Sequence, residues 1–364
     1  MKRRGIIYFI GFLVLTVLTV PALKLFAASK TAAEELATLN KLSPAERKTR
    51  LEEEAAREGK VIMYGTYSLG EAEKVIITFM QKYPKVKVEY FRASTAPLLD
   101  KILSEASVGK LRADVGNLEL ALLYEIDKLI IPYKTPEADA FVKTFVDPRS
   151  KWIALYHNPK PIAYNTKRVA KAEAPKNWED LANPRWKGRL GMPVSGGPEW
   201  VSIILKFMGK DKGRDYLKRM AAQDIRLEKS NSGLAQMVAA GDLDVAFYLN
   251  DAAVEIAKRK GAPIETAPTD PLVTAIHTLV IFKDASHPYA SLLFLDWLVS
   301  REGQERIRNV NPRFSGRTDV SSPASYAGHK FMIIEPEQVS KDKMEESNKL
   351  FEGWFVKKND NAHK

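Results

Sequence analysis

The chain has 364 residues, 45% of them hydrophobic and 28% charged, a balance that suits one large or two medium globular domains. It contains no cysteine, which excludes disulfides, a thiolate nucleophile and zinc–thiolate sites. The formal net charge of +11 is scattered among many acids, so no nucleic-acid partner is expected; a solvated surface accounts for it, and an anionic solute or membrane surface is compatible with it.

Lys2, Arg3 and Arg4 precede an almost wholly apolar run, Ile6 to Val20, which Pro21 breaks before Phe26-Ala27-Ala28. This pattern predicts an export signal over 1–28, with the rest of the chain in the periplasm. Leu25 or Phe26 stands where a small residue is usual before a cleavage site, so an uncleaved membrane anchor is the alternative. Residues 29–60 read as a spacer and a leader helix. Ser43-Pro44-Ala45-Glu46 supplies its serine cap, first-turn proline and first-turn acid.

Val61 to Tyr64 is a short apolar run of the kind found in a strand buried on both faces. A polar loop from Gly65 to Gly70 follows, then Val75, Ile76, Phe79 and Met80 at helical spacing, then alternation at Val86, Val88 and Tyr90. In such a βαβ unit ligands lie beyond the carboxyl ends of the strands, so Thr66 and Tyr67 are expected to face one. The same strand–loop–helix pattern recurs twice. It adds Ser94 and Thr95, then Asn117 after Ala113 to Gly116, as candidate contacts at the same sheet edge; each has helix capping as its competing role. Trp152 to Tyr164, around His157-Asn158-Pro159, reads as a strand-like crossing into another unit.

That second unit carries a dense motif: Pro175, Trp178-Glu179-Asp180-Leu181, Pro184, Trp186-Lys187-Gly188 and Pro193. Ser195-Gly196-Gly197-Pro198 opens an apolar helix, where small residues let backbone amides approach an anion. Ser230 to Gly233 opens another helix, either reaching the cleft or capping. Gly241 to Tyr248 brings back a strand, with Asp242 and Asp244 as a turn before it, and Leu249-Asn250-Asp251-Ala252-Ala253 follows. Thr266 to Phe282 is the return crossing. The five histidines show no ligand spacing, so His277 reads as structural. Arg313 and Arg317, which flank Phe314-Ser315-Gly316, read by default as surface charge, with an approach to the cleft as the alternative for either, and residues 321–364 read as a tail with a packed helix and apolar islands at Phe331–Ile334 and Phe351–Val356.

The tryptophan-rich motif resembles the signature of the extracellular solute-binding proteins of ABC transporters, in the branch that includes the ferric-iron binders. Ala163-Tyr164-Asn165-Thr166, Ser286-His287-Pro288-Tyr289-Ala290, Phe294-Leu295-Trp297-Leu298 and the segment 302–320 resemble further parts of that family. The resemblance spans roughly 45–320. It implies an α/β fold of the periplasmic-binding-protein type II class, with two lobes, a hinge and an interlobe cleft. Residues 61–155 and 267–320 would make one lobe, and 156–266 the other. It also implies capture of a small solute and delivery to an ABC transporter permease in the membrane, by a monomer, with no cofactor and no catalysis.

The iron binders carry two adjacent tyrosines where this chain reads Ala252 and Ala253. A hard ferric ion needs such anionic oxygen donors. The expected solute is therefore anionic or polar organic, hydrogen-bonded by Tyr248 and Asn250, with a buried strand tyrosine as the competing role of Tyr248 and with no metal ligands; ferric iron or an iron complex is the alternative. No P-loop, Ser-His-Asp order or metal-spaced cluster favours the remaining alternative, an exported enzyme.

Overall fold

A computed structural model describes residues 36, 38–39, 41–267, 269, 272–310, 313–321, 326, 329, 331–333 and 341–356. The export signal over 1–28, the start of the spacer and parts of the tail lie outside the described residues.

The leader helix Pro44–Glu58 forms for local reasons. Glu46 N–H donates to the Ser43 hydroxyl at 3.4 Å, and Ser43 N–H donates to the Glu46 carboxylate at 3.0 Å. This reciprocal pair satisfies two amides that lack helical partners. Gly59, at φ 73°, ends the helix in the left-handed conformation that glycine adopts freely. The chain then enters β1 (Lys60–Gly65), helix Leu69–Lys82, β2 (Lys87–Arg92), helix Thr95–Ser107 and β3 (Val115–Glu119). β1 pairs parallel with both β2 and β3. A short strand, β4 (Ile130–Ile131), and β5 (Ile153–Pro159) follow, and the chain leaves this sheet to form β6 (Ile162–Asn165).

The second sheet has the order β10-β6-β9-β7-β8, with β7 (Leu190–Pro193), β8 (Arg226–Glu228), β9 (Val245–Ala246) and β10 (Ile264–Ala267). The chain returns through β11 (Leu272–Phe282), which pairs antiparallel with β3, β4 and β5, and parallel with β12 (Phe331–Ile333). The first sheet therefore runs β12-β11-β3-β1-β2. All 11 residues of β11 are buried, and the strand serves both cores. Val273 and Ala275 pack with the second-sheet side chains, while Ile276 to Phe282 contribute to the first core. Two crossings thus join the sheets, between β5 and β6 and between β10 and β11.

In the first core, helix Pro288–Val299 is apolar on nearly every side and correspondingly buried. Its first turn is anchored by Glu58, whose carboxylate accepts from the backbone N–H groups of Tyr289 (3.2 Å) and Ala290 (2.7 Å). The second core is built on the tryptophan-rich motif. Trp178, Trp186 and Trp200 are buried with Tyr216 and Phe247, and Tyr216 O–H donates to the Trp178 carbonyl at 2.8 Å. The tail helix Lys341–Phe351 packs on this core, where Phe351 and Phe355 lie buried beside helix Gly197–Met208.

Candidate functional site

Three strand ends of the first sheet meet at one edge. Gly65, the last residue of β1, is the register partner of Asn117 in the middle of β3. A Cβ at residue 65 would sit 3.0–3.1 Å from Tyr90 and Asn117, so glycine permits this close approach. Thr66 follows, half-buried, with its hydroxyl 3.3 Å from His277 Nδ1. His277 Nε2 lies 3.1 Å from Asn158 Nδ2, and Asn158 Oδ1 accepts from Arg313 at 2.9 Å. The guanidinium thus orients the amide, and the amide makes His277 Nε2 an acceptor, leaving the ring proton on Nδ1 to face Thr66. Burial, with Arg313 and Lys160 nearby, holds the His277 pKa well below its ordinary value, so the ring is neutral.

Arg313 also pairs with Glu71 at 3.1 Å and stands over the rings of Tyr156 (4.8 Å) and Tyr67 (5.7 Å). Tyr156 stacks on His277 with ring centres 4.5 Å apart. Tyr67 is buried, its carbonyl accepts from Tyr90 O–H at 2.7 Å, and its own hydroxyl has no partner among the described residues. Asn117 is 0% exposed; it donates to the Thr278 carbonyl at 3.0 Å, and its Oδ1 has no partner among the described residues.

Glu119, the last residue of β3, has a side chain 35% exposed and lies 3.9 Å from His277 Nε2. Burial and the nearby Glu199 raise its pKa, while Lys160 and a hydrogen bond with Thr95 oppose the rise. Thr95 therefore faces the same space, whereas Ser94 is exposed and its side chain makes no capping bond.

The second sheet contributes through β7 and β9. Ser195 is exposed in a 3-10 turn, and Gly196 and Gly197 are buried where helix Gly197–Met208 begins. The small residues suggested room for an anion. Ring atoms instead fill much of that room: a Cβ at 196 would meet the Tyr248 ring at 2.7 Å, and one at 197 would meet the Phe351 ring at 2.1 Å. Tyr248 is 0% exposed, and its backbone is left-handed at φ 58°, an uncommon state for a bulky residue. Its hydroxyl donates to Glu199 at 2.7 Å. Burial, then the Glu199 charge, keeps the phenol protonated. Asn250 accepts from Lys160 Nζ at 2.5 Å, and that ammonium lies 5.5 Å from the centre of the Tyr248 ring. Tyr248→Phe is expected to destabilise the fold by about 1 kcal/mol by removing the donor from Glu199. Urea denaturation checks this, and an unchanged midpoint would count against the bond.

Several expectations need correction. Arg313 and Arg317 are not surface charges, for their side chains are 13% and 5% exposed. Arg313 joins the strand-end network, whereas Arg317 pairs with Asp319 and Glu137. His277 belongs to that same network and is more than a filler of the core. Ser230 caps, its hydroxyl accepting from Gly233 N–H at 2.9 Å. Asp244 is more than a turn residue, since its buried carboxylate pairs with Arg168 and Arg189. Glu71, Glu119, Asn158, Lys160 and Glu199 were missed as site residues. Glu119 alone carried a local signal, standing two positions beyond Asn117 and therefore on the same face of β3.

Two α/β lobes joined by two crossings define the class of two-lobe binding proteins. The chain belongs to the bacterial extracellular solute-binding protein family, which it matches over residues 63–305. It is a solute-binding component of the ABC-importer type. It is similar to a protein of Haemophilus influenzae, 27% identical over 82% of this chain and 91% of that one. It is also similar to the Fe(3+)-binding periplasmic protein of Serratia marcescens, 24% identical over 62% of this chain and 70% of that one. Among solved structures, iron-bound HitA from Pseudomonas aeruginosa shares the fold with a TM-score of 0.70 at 19% identity, covering 81% of this chain and 98% of that one. AfuA from Actinobacillus pleuropneumoniae, with fructose-6-phosphate bound, has a TM-score of 0.67 at 23% identity over 82% and 99% of the two chains. Among the described residues no helix is long and apolar enough to cross a membrane, and no group of three or more His, Cys, Asp or Glu is placed to hold a metal ion.

Proposed function

We propose that this protein works in the periplasm as a monomer, captures a small polar organic solute bearing an oxyanion between its lobes, and passes it unchanged to a membrane permease. Residues 1–28 would export or tether it. The lobes would comprise 61–155 with 267–320, and 156–266. The observation that carries the reading is the ammonium of Lys160. It lies just beyond β5 at the first crossing, held by Asn250 and the Tyr248 ring, and makes no carboxylate pair within 4 Å among the described residues. Thr66, Tyr67, Ser94, Thr95 and Asn117 from one lobe, and Ser195, Tyr248 and Asn250 from the other, are the candidate contacts; Gly196 and Gly197 are packed under the rings of Tyr248 and Phe351. Thr66, Thr95 and Asn250 are proposed to touch solute, and Tyr248 to act through Glu199.

Relatives bind different cargo. One from Serratia marcescens is an Fe(3+)-binding protein, and one from Salmonella typhimurium is a putative 2-aminoethylphosphonate-binding protein. For this chain an organic solute is favoured. Ala252 and Ala253 offer no phenolates, and the Tyr248 hydroxyl is committed to Glu199.

Calorimetry of the purified protein against phosphonates, sugar phosphates, small organic acids and ferric citrate is expected to give saturable binding to an organic oxyanion. Lys160→Met is expected to weaken it by roughly tenfold, about 1.4 kcal/mol. Catalytic turnover of the bound compound, or an intense visible tyrosinate–iron band on adding ferric citrate, would overturn the reading.

A further inference from the structure

The direction of each hydrogen bond along one row of side chains leaves a single polarity for Thr66. A guanidinium donates and never accepts, so the Asn158 atom that meets Arg313 at 2.9 Å is the amide oxygen. This turns the Asn158 amide nitrogen towards His277 Nε2, at 3.1 Å, and makes Nε2 the acceptor. The neutral ring then carries its proton on Nδ1, which faces the Thr66 hydroxyl at 3.3 Å. Glu119 would favour the opposite tautomer, but at 3.9 Å from Nε2 it lies beyond hydrogen-bond reach. Glu71, paired with Arg313 at 3.1 Å, fixes the far end of the row.

Thr66 Oγ1 therefore accepts from the ring, and its own hydrogen is turned away from His277. Tyr156, stacked on that ring with centres 4.5 Å apart, reaches the same hydroxyl. Burial pushes the Tyr156 pKa up to about 12, so its phenol keeps a proton to donate there. A hydroxyl has two lone pairs, which accommodate both donors and leave its hydrogen unspent. The Thr66 N–H is taken by the Asn117 carbonyl at 3.3 Å, so the hydroxyl is the donor this residue has left. Thr66 is half-buried just beyond the end of β1, whereas Asn158 and His277 are buried.

We propose that Thr66 is a specificity-determining donor of fixed polarity: its O–H meets an acceptor oxygen of the solute, and His277, Asn158 and Arg313 are positioning residues that hold that direction. This rests on the solute-binding reading above and deepens it, because it names the group that the loop after β1 selects. A carboxylate, phosphate, phosphonate or carbonyl oxygen completes the row of bonds. An ammonium placed there meets a hydrogen and finds no free lone pair, so selection works by leaving the wrong group unpaired.

The first test uses no solute. Long-range proton–nitrogen NMR spectra of the histidine-labelled protein, with His277 assigned by its loss in His277→Gln, are expected to show a neutral ring protonated on Nδ1. In Asn158→Asp the contact with Arg313 is kept but Nε2 faces an acceptor, and the proton is expected to move to Nε2. The second test is calorimetry with ethylphosphonate, glucose 6-phosphate and succinate. Thr66→Val is expected to weaken whichever of these the parent binds by about tenfold, and Thr66→Ser, which keeps the hydroxyl, to stay within about threefold of the parent. A parent ring protonated on Nε2, Nδ1 still protonated in Asn158→Asp, equal affinities in parent and Thr66→Val, or a loss in Thr66→Ser as large as in Thr66→Val each overturns the inference and leaves solute binding standing. No saturable binding by any of the three compounds, nor by the wider panel above, overturns both readings.

Discussion

Arg313→Ala is expected to lower the unfolding free energy by about 3 kcal/mol, the lower end of the cost of removing one partner from a buried pair. The lower end is chosen because Glu71 keeps some access to water, its side chain being 22% exposed. The substitution would take the guanidinium from the Glu71 carboxylate, release Asn158 Oδ1 and empty the space over Tyr156 and Tyr67. Because Asn158 sets the His277 tautomer, the Thr66 hydroxyl would also lose its fixed partner, so solute affinity is expected to fall along with stability. Arg313→Lys should recover only part of the loss, since an ammonium cannot serve Asn158 and Glu71 in the fork geometry of guanidinium. Urea denaturation of Arg313→Ala, Glu71→Ala and the double variant gives the coupling directly. Strictly additive losses would mean that the pair is geometric only.

Asp251→Asn is expected to stabilise the protein by up to about 4 kcal/mol near pH 8 and to leave it almost unchanged near pH 4. Asp251 is buried where helix Asp251–Arg259 begins, and it accepts a hydrogen bond from Tyr326. Burial pushes its pKa up to about 7, against the opposing pull of the Tyr326 bond. The sign follows from linkage. Below the ordinary aspartate range both folded and unfolded chains hold the proton. As pH rises from about 4 to about 7 the unfolded chain releases it first, so stability declines by up to about 1.4 kcal/mol per pH unit. Asparagine removes that decline. Glu58, likewise raised to about 7 by burial, leaves a residual slope in the variant. Thermal or urea unfolding across pH 4–8 checks this, and equal slopes for parent and variant would refute it.

Much of the architecture was legible locally. The Ser43 to Glu46 cap, the helical spacing of Val75, Ile76 and Phe79, the alternation at Val86 and Val88 and the tryptophan-rich motif each name an element or the family. They do so because capping, periodicity and turn chemistry act between residues a few positions apart. The placement of Thr66 and Thr95 beyond strand ends followed from the same logic, whereas β3 runs two residues past Asn117, to Glu119.

The balance of the site was not legible. Arg313 meets Glu71 across 242 positions, Asn158 meets His277 across 119, and Tyr248 meets Glu199 across 49. Nothing near Arg313 in the chain distinguishes it from Arg317, which ends in a different network. The sequence by itself determined the family and, through that resemblance, the two-lobe fold. Only the tertiary structure decided which side chains are orphaned, neutral or paired there, because burial and ion pairing depend on neighbours brought in from remote parts of the chain.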